Sequence, residues 1–78
     1  MKYNIELDLC GLQCPLPILR SKKALAKLAA SEVIHVMATD AGSLKDFPAF
    51  CQVTGHELLE SWEKEDCFHF VIKKRADQ

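Results

Sequence analysis

The sequence predicts a two-layer α/β sandwich in which four strands form one mixed sheet and two helices pack on one of its faces. Three observations lead to this prediction. Apolar and polar residues alternate near both ends of the chain, with the period of two that indicates strands. Two segments between them place apolar residues at helical spacing. The resulting order, βαβαββ, starts with a strand, a helix and a strand, which favours a parallel pair joined by a right-handed crossover.

The first three elements follow from these patterns. Residues 3–9 alternate between apolar and polar side chains, which indicates a strand with one buried face. Residues 18–30 form the first helix, whose apolar stripe consists of Ile18, Leu25, Leu28 and Ala29. Residues 33–38 are mostly apolar on both faces, as expected of a strand in the interior of a sheet.

The second helix is predicted over residues 43–54, and two signals compete for its start. Ser43 and Asp46 have the spacing of a capping box. With that start, however, Pro48 would fall beyond the first turn, where a proline removes a helical hydrogen bond. We therefore expect Asp46 to be the cap and the regular helix to begin at Phe47. Gly55 is expected to end it.

Two strands complete the sheet, at residues 56–63 and 67–74, and the charged residues 64–66 form the turn between them. Residues 75–78 are expected to be a frayed tail. The chain has no linker or internal repeat, so the prediction is a single domain over residues 1–78.

Composition and charge exclude several classes of function. The chain is 49% hydrophobic and 27% charged, and its net charge of −1 argues against a dedicated nucleic-acid-binding protein. No apolar run reaches the roughly 18 residues of a membrane span, and the amino terminus has no apolar signal segment. The four cysteines are therefore expected to be reduced thiols in the cytoplasm.

The strongest candidate for a functional site is the stretch Gly11-Leu12-Gln13-Cys14-Pro15-Leu16-Pro17. Gly11 and Leu12 form the turn before Cys14. Pro15 is expected at the first helical position, where its missing N–H costs no hydrogen bond, and Pro17 lies in the first turn. A thiol placed there faces unpaired backbone N–H groups and the positive end of the helix dipole, which both stabilise the thiolate. The stretch thus predicts a nucleophilic sulfur at Cys14.

The same stretch belongs to a pattern that extends along nearly the whole chain. Its other parts are Leu7-Asp8, Lys22-Lys23-Ala24-Leu25, Thr39-Asp40, Asp46-Phe47-Pro48-Ala49-Phe50-Cys51, Gly55-His56-Glu57-Leu58 and Ile72-Lys73-Lys74. On these residues the chain resembles the TusA/SirA-like sulfur-carrier family. The resemblance implies the βαβαββ fold. It also implies that Cys14 accepts sulfane sulfur as a persulfide from a cysteine desulfurase or another donor, and passes it to an acceptor protein.

The resemblance leaves the pathway open. The family's best-known role ends in 2-thiouridine modification of tRNA, while related members act in sulfur oxidation or serve molybdenum-cofactor enzymes. The transfer requires no metal or organic cofactor, and neither direct nucleic-acid binding nor a membrane is expected. Arg20, Lys22 and Lys23 lie on the helix that Cys14 opens, and we expect them to dock the donor through opposite charges. A solvated helix face is the ordinary alternative.

The remaining cysteines and histidines allow other interpretations. A reversible disulfide between Cys10 and Cys14 would make the protein a thiol-based redox or regulatory module. His35, His69 and Cys67 are expected on the uncovered face of the sheet, where they could hold a metal, although their spacing matches no ligand signature. A sheet surface that merely tolerates them is the simpler explanation. Cys51 lies on the apolar face of the second helix and is expected to be a buried core residue.

Overall fold

The computed structural model describes residues 3–76 and has the predicted order of elements. The elements are β1 (Ile5–Leu9), α1 (Leu16–Ala26), β2 (Val33–Ala38), α2 (Ser43–Thr54), β3 (Glu57–Lys64) and β4 (Cys67–Lys73). The four strands form one sheet in the order β1-β2-β4-β3, so β2 and β4 are central. β1 pairs with β2 in parallel, and β4 is antiparallel to both of its neighbours. The prediction of a mixed α/β sheet with two helices is confirmed.

The hydrophobic core lies between the helices and one face of the sheet. Its largest contact joins Phe47 of α2 and Phe70 of β4, whose rings stack with centroids 4.5 Å apart. Ile34 and Val36 from β2 complete this layer and are fully buried. Burying each such side chain contributes about 1.5–3 kcal/mol. The alternation of β2 and β4 therefore decides which side of the sheet the helices cover.

α1 is shorter at its carboxyl end than the sequence pattern indicated, because a distant residue caps it. After Ala26 the N–H groups of Lys27 and Leu28 bond to carbonyl oxygens three residues back, which tightens the chain and ends the helix. The Lys74 ammonium then donates to the carbonyl oxygens of Leu25, at 2.7 Å, and of Leu28, at 3.2 Å. A cation at this end also complements the helix dipole.

α2 begins at Ser43, so the expected start at Phe47 is wrong. Gly42 occupies the cap position and no side chain caps the helix, so the predicted roles of Ser43 and Asp46 in capping are wrong as well. Pro48 is tolerated inside the helix because it is exposed, and water can solvate the carbonyl group that its missing N–H leaves free. Gly55 ends the helix with a φ of 86°, as predicted.

The β3–β4 hairpin and the chain after it are tightly held. Glu65 and Asp66 both have positive φ, 53° and 64°, which is the geometry of a two-residue hairpin turn. Arg75 was expected in a frayed tail, yet its N–H donates to His56 Nδ1 at 3.1 Å and its guanidinium to the Thr54 carbonyl oxygen at 2.6 Å. The last two residues of that predicted tail, 77–78, lie outside the described residues. Between residues 3 and 76, no helix has the length and apolar character needed to cross a membrane.

Candidate functional site

The loop between β1 and α1 holds Cys14 at the carboxyl end of the two parallel strands. Gly11 adopts a φ of 86°, a conformation that favours glycine, and its N–H donates to Thr39 Oγ1 at 2.8 Å, just after β2. The N–H of Leu12 donates to the Leu9 carbonyl oxygen at 3.2 Å, and the Leu12 side chain packs against the core. The turn before Cys14 is therefore anchored to both strands, while the Cys14 side chain is exposed.

The start of α1 differs from the expected arrangement by one residue. The helix begins at Leu16, so Pro15 is the residue before it and Pro17 is its second residue. The Cys14–Pro15 peptide bond is cis. Pro15 and Pro17 have no N–H, and the N–H of Leu16 donates to the Gln13 carbonyl oxygen at 2.9 Å. The helix start thus offers the thiol fewer free N–H groups than the sequence indicated.

Two carboxylates act on the Cys14 thiol, one in the first turn of the second helix and one just before that helix. Because β1 and β2 run in parallel, α1 and α2 both begin at the same end of the sheet, and Asp46 lies in the first turn of α2. A hydrogen bond to the Asp46 carboxylate raises the pKa of Cys14, and burial and the charges of Asp46 and Asp40 raise it further. The raised pKa favours the thiol of Cys14 over the thiolate that the helix start was expected to stabilise.

Cys14 lies in an apolar groove between α1 and α2. The groove has a volume of about 400 Å³ and is lined by Cys14, Pro15, Ile18, Asp46, Ala49, Phe50 and Val53. One of these lining residues, Val53, is a large apolar side chain that is 85% exposed. The sequence pattern did not indicate the groove. The groove could have been inferred from the parallel βαβ unit, because that unit places the starts of both helices side by side.

The predicted docking residues are accessible. Arg20, Lys22 and Lys23 are all exposed on α1, the helix that follows Cys14. None of the three lines the groove beside Cys14, in which Asp46 is the charged lining residue.

Cys10 has a different sulfur neighbour from Cys14, the partner that the alternative redox interpretation required. The sulfur of Cys10 lies 3.0 Å from the sulfur of Cys67, at the start of β4. Cys51 is 4% exposed in the core, as expected, and burial raises its pKa to about 11. The structure therefore brings Cys10 together with Cys67, a residue that the sequence suggested was incidental.

His35 and His69 meet on the face of the sheet that the helices leave uncovered. His35 Nε2 lies 2.9 Å from His69 Nδ1, and His35 Nδ1 lies 3.2 Å from a Glu6 carboxylate oxygen. Trp62 stacks on both imidazoles, so His35 is largely buried. This is a packed polar cluster rather than a surface that merely tolerates histidine. Across residues 3–76, no group of three or more acidic, histidine or cysteine side chains is arranged to hold a metal.

The fold and the site together define a small α/β protein that presents one exposed cysteine beside an apolar groove. Comparison with known proteins identifies the family: residues 5–74 match the model described as sulfurtransferase TusA, and the chain belongs to this family. It is 57% identical over 72 residues to the sulfur carrier protein TusA of Allochromatium vinosum, covering 92% of this chain and 95% of that protein. It is 40% identical over 75 residues to the TusA of Pseudomonas entomophila, covering 96% and 94%.

A solved structure supports the same assignment. The crystal structure of a SirA-like protein from Desulfitobacterium hafniense has a TM-score of 0.81 and 30% identity, and the match covers 91% of this chain and 97% of that one. The resemblance drawn from the sequence is confirmed for both family and fold. The general function of the chain is therefore sulfur transfer.

Proposed function

We propose that the protein accepts sulfane sulfur on Cys14, holds it as a persulfide and relays it to a partner protein. The observation that carries this proposal is that Cys14 is exposed at the end of an apolar groove in a chain that belongs to a sulfur-carrier family. In sulfur exchange, the donor's sulfur must come into contact with the acceptor thiol, so the protein surface around that thiol must be accessible to the donor. An open groove around one thiol meets that requirement.

The transfer is an exchange in which no net oxidation occurs. The Cys14 sulfur attacks the outer sulfur of a donor persulfide, the donor's sulfur–sulfur bond breaks, and the donor's inner sulfur leaves as a thiolate. The proton released by Cys14 restores the donor thiol. The products are a Cys14 persulfide and a donor thiol, and an acceptor thiol later takes the outer sulfur from Cys14 by the same exchange. Gly11, Leu12, Pro15 and Pro17 shape the turn that presents the sulfur.

Asp46 determines how the exchange starts. Asp46 lines the groove together with Cys14 and raises the pKa of that thiol, so we expect the free protein to react slowly with electrophiles. A donor that brings positive charge to the groove, or that displaces the Asp46 carboxylate, lowers the pKa of Cys14 and releases the nucleophile. The carboxylate thereby links sulfur loading to docking.

The proposed partners are a cysteine desulfurase or another sulfane-sulfur donor, and a downstream acceptor protein in the cytoplasm. tRNA 2-thiouridine synthesis and sulfur oxidation are both served by the same Cys14 chemistry. We place the donor against the groove and the basic side chains of Arg20, Lys22 and Lys23, because an apolar centre with a charged rim is the usual anatomy of a docking surface.

The test compares two cysteines of the same loop. The Cys14→Ser and Cys10→Ser variants are incubated with a cysteine desulfurase and cysteine, and their intact masses are measured. We expect Cys10→Ser to gain about 32 Da that a reductant removes, and Cys14→Ser to gain nothing. Undiminished loading of the folded Cys14→Ser variant would refute the proposal. If no variant is loaded, a second sulfane-sulfur donor such as thiosulfate is used, and failure there too contradicts the carrier role.

A further inference from the structure

A second sulfur site lies at the same end of the sheet as Cys14 but on its other side. The sulfur atoms of Cys10 and Cys67 are 3.0 Å apart, and a disulfide bond is about 2.05 Å long. Cys67 alternates with Phe68 along β4, so it shares the uncovered face with His69. Cys10 is exposed and Cys67 is partly exposed, so a small oxidant can reach both. A shift of roughly 1 Å would join the two sulfurs.

The backbone holds both cysteines in place. The N–H of Cys10 donates to Asp8 Oδ1 at 3.0 Å, and the next residue, Gly11, is bonded to Thr39. Cys67 directly follows the two-residue hairpin turn and pairs with Lys64 of β3. The two sulfurs therefore meet because rigid elements place them together, and the order lost on forming a bond between them is small.

We propose that Cys10 and Cys67 are a redox-active dithiol, which a low-molecular-weight disulfide such as glutathione disulfide converts reversibly into an intramolecular disulfide. In the first step the thiolate of one of the two cysteines attacks the oxidant, giving a mixed disulfide and one free thiol. In the second step the other cysteine loses its proton to water and attacks the protein sulfur of the mixed disulfide, releasing the second thiol. The protein loses two electrons and two protons, and one molecule of oxidant is reduced to two thiols.

The electrostatics of the pair favour its protonated form. The hydrogen bond between the sulfurs and the Asp8 carboxylate raise the pKa of Cys10 to about 12. Loss of a proton from the pair therefore precedes its attack on the oxidant. The second step is intramolecular, so the mixed disulfide is short-lived.

This site goes beyond the proposed carrier function and leaves Cys14 unused. A disulfide between Cys10 and Cys14 would block sulfur loading. A disulfide between Cys10 and Cys67 ties the loop that carries Cys14 to β4 and keeps the Cys14 thiol available. Oxidation of the pair is thus a modification of the scaffold beside the carrier thiol, independent of whether that thiol carries sulfur.

The test uses the Cys14→Ser variant, which cannot carry sulfur and in which each tryptic peptide with cysteine contains only one. These peptides are residues 3–20 with Cys10, 46–64 with Cys51, and 65–73 with Cys67. The folded variant is incubated with glutathione disulfide, quenched in acid, alkylated and digested without reductant. We expect peptides 3–20 and 65–73 to be linked, at a mass about 2 Da below their sum, and about tenfold more abundant than either glutathione adduct.

The outcomes separate the proposal from simple surface oxidation. Glutathione adducts on Cys10 or Cys67 that accumulate without the link would overturn it, as would linkage to the Cys51 peptide at a similar yield. When Cys67→Ser is added to Cys14→Ser, the glutathione adduct on Cys10 should persist, because no neighbouring thiol displaces the glutathione. In the wild-type protein, the oxidised form should still take up one alkyl group on Cys14, and its failure to do so would contradict the assignment of the pair.

Discussion

Two sulfur sites lie at the same end of one sheet, and they differ in what each sulfur faces. On the helix side, Cys14 faces the Asp46 carboxylate and an apolar groove. On the uncovered side, the sulfur of Cys10 faces the sulfur of Cys67. The only sulfur–sulfur contact of the described residues is this second one. Under the proposed function, the first site holds a sulfur atom for a partner, and we expect that the second does not.

The difference follows from the chemistry of persulfides. If a persulfide forms beside a second thiol, the second sulfur attacks the inner sulfur, a disulfide forms and hydrosulfide leaves. The transferred sulfur is then lost. A carboxylate does not carry out this displacement, so a persulfide on Cys14 survives until an acceptor thiol arrives. A carrier site therefore needs an isolated thiol, and the groove between α1 and α2 provides one.

We expect that a neighbouring thiol would make the Cys14 site behave like the Cys10–Cys67 pair. Asp46→Cys places a second sulfur in the groove that Asp46 and Cys14 both line. We expect nearly complete loss of stable sulfur loading, with hydrosulfide released and a new disulfide formed. Hydrosulfide release and intact mass are measured after incubation with a sulfur donor. Asp46→Ser is the matched control and should stay loaded. Stable loading of Asp46→Cys would contradict the need for an isolated thiol.

Charge reversals on α1 test which side of the sheet the donor recognises. Reversing Arg20 and Lys23 to glutamate should weaken donor binding by about tenfold and reduce its dependence on salt, because two attractive charges become repulsive. The control reverses one exposed charge on the other face, Glu60→Lys, and should bind normally. Isothermal titration with the donor measures both. Equal affinity of all the variants would show that the basic face of α1 does not dock it.

The protonation of Cys14 can be shifted by removing the carboxylate. Asp46→Asn removes the charge that raises the pKa of Cys14, so at pH 7.5 the thiolate fraction should rise and alkylation by iodoacetamide should accelerate about three- to tenfold. The rate is measured in a Cys10→Ser background, where peptide 3–20 contains only Cys14. The pH at which the rate is half-maximal should fall. Glu60→Gln serves as the control. An unchanged rate in Asp46→Asn would show that Asp46 does not control the protonation of Cys14.

The free energy of unfolding should depend on pH through the histidines of the uncovered face. Of the four predictions, this one has the smallest expected effect. Burial lowers the pKa of His69, and the charges of His35 and Lys64 lower it further. Below about pH 6.5 the unfolded chain therefore binds more protons than the folded one, so the free energy of unfolding falls as the pH drops from 7 to 5. His69→Gln should flatten this slope by a fraction of one proton.

Urea unfolding at pH 7.5, 6.5 and 5.5 measures that slope. His56→Gln is an informative control, because the pKa of His56 is also lowered, by burial and by the charges of Arg75 and Lys74. Each variant should remove part of the slope. A slope that is as steep in His69→Gln as in the wild type would mean that the histidine cluster tolerates protonation.

The sequence pattern predicted those parts of the fold that depend on neighbouring residues. The bounds of β2 agree with the alternation and apolar content of residues 33–38, and Gly55 ends α2 where a glycine with positive φ was expected. Because each of these features depends on a local preference, one short segment carried enough information. The parallel pairing of β1 and β2 also followed from element order alone.

The features that escaped prediction depend on residues far apart in the chain. The carboxyl end of α1 is set by Lys74, which is 49 residues beyond Leu25, and the partner of Cys10 is 57 residues away. Asp46 was interpreted as a helix cap, since only the three-dimensional arrangement shows that the first turn of α2 meets Cys14. The candidate cysteine was visible from its motif, but the carboxylates that raise its pKa were not.

The central claim is that the transferred sulfur resides on Cys14 and not on the neighbouring pair. The most direct test loads the wild-type protein with a cysteine desulfurase and cysteine, traps persulfides by alkylation and sequences the tryptic peptides by tandem mass spectrometry. We expect an added sulfur, about 32 Da, that fragmentation of peptide 3–20 locates on Cys14. A sulfur found instead on Cys10, or on Cys67 in peptide 65–73, would contradict it.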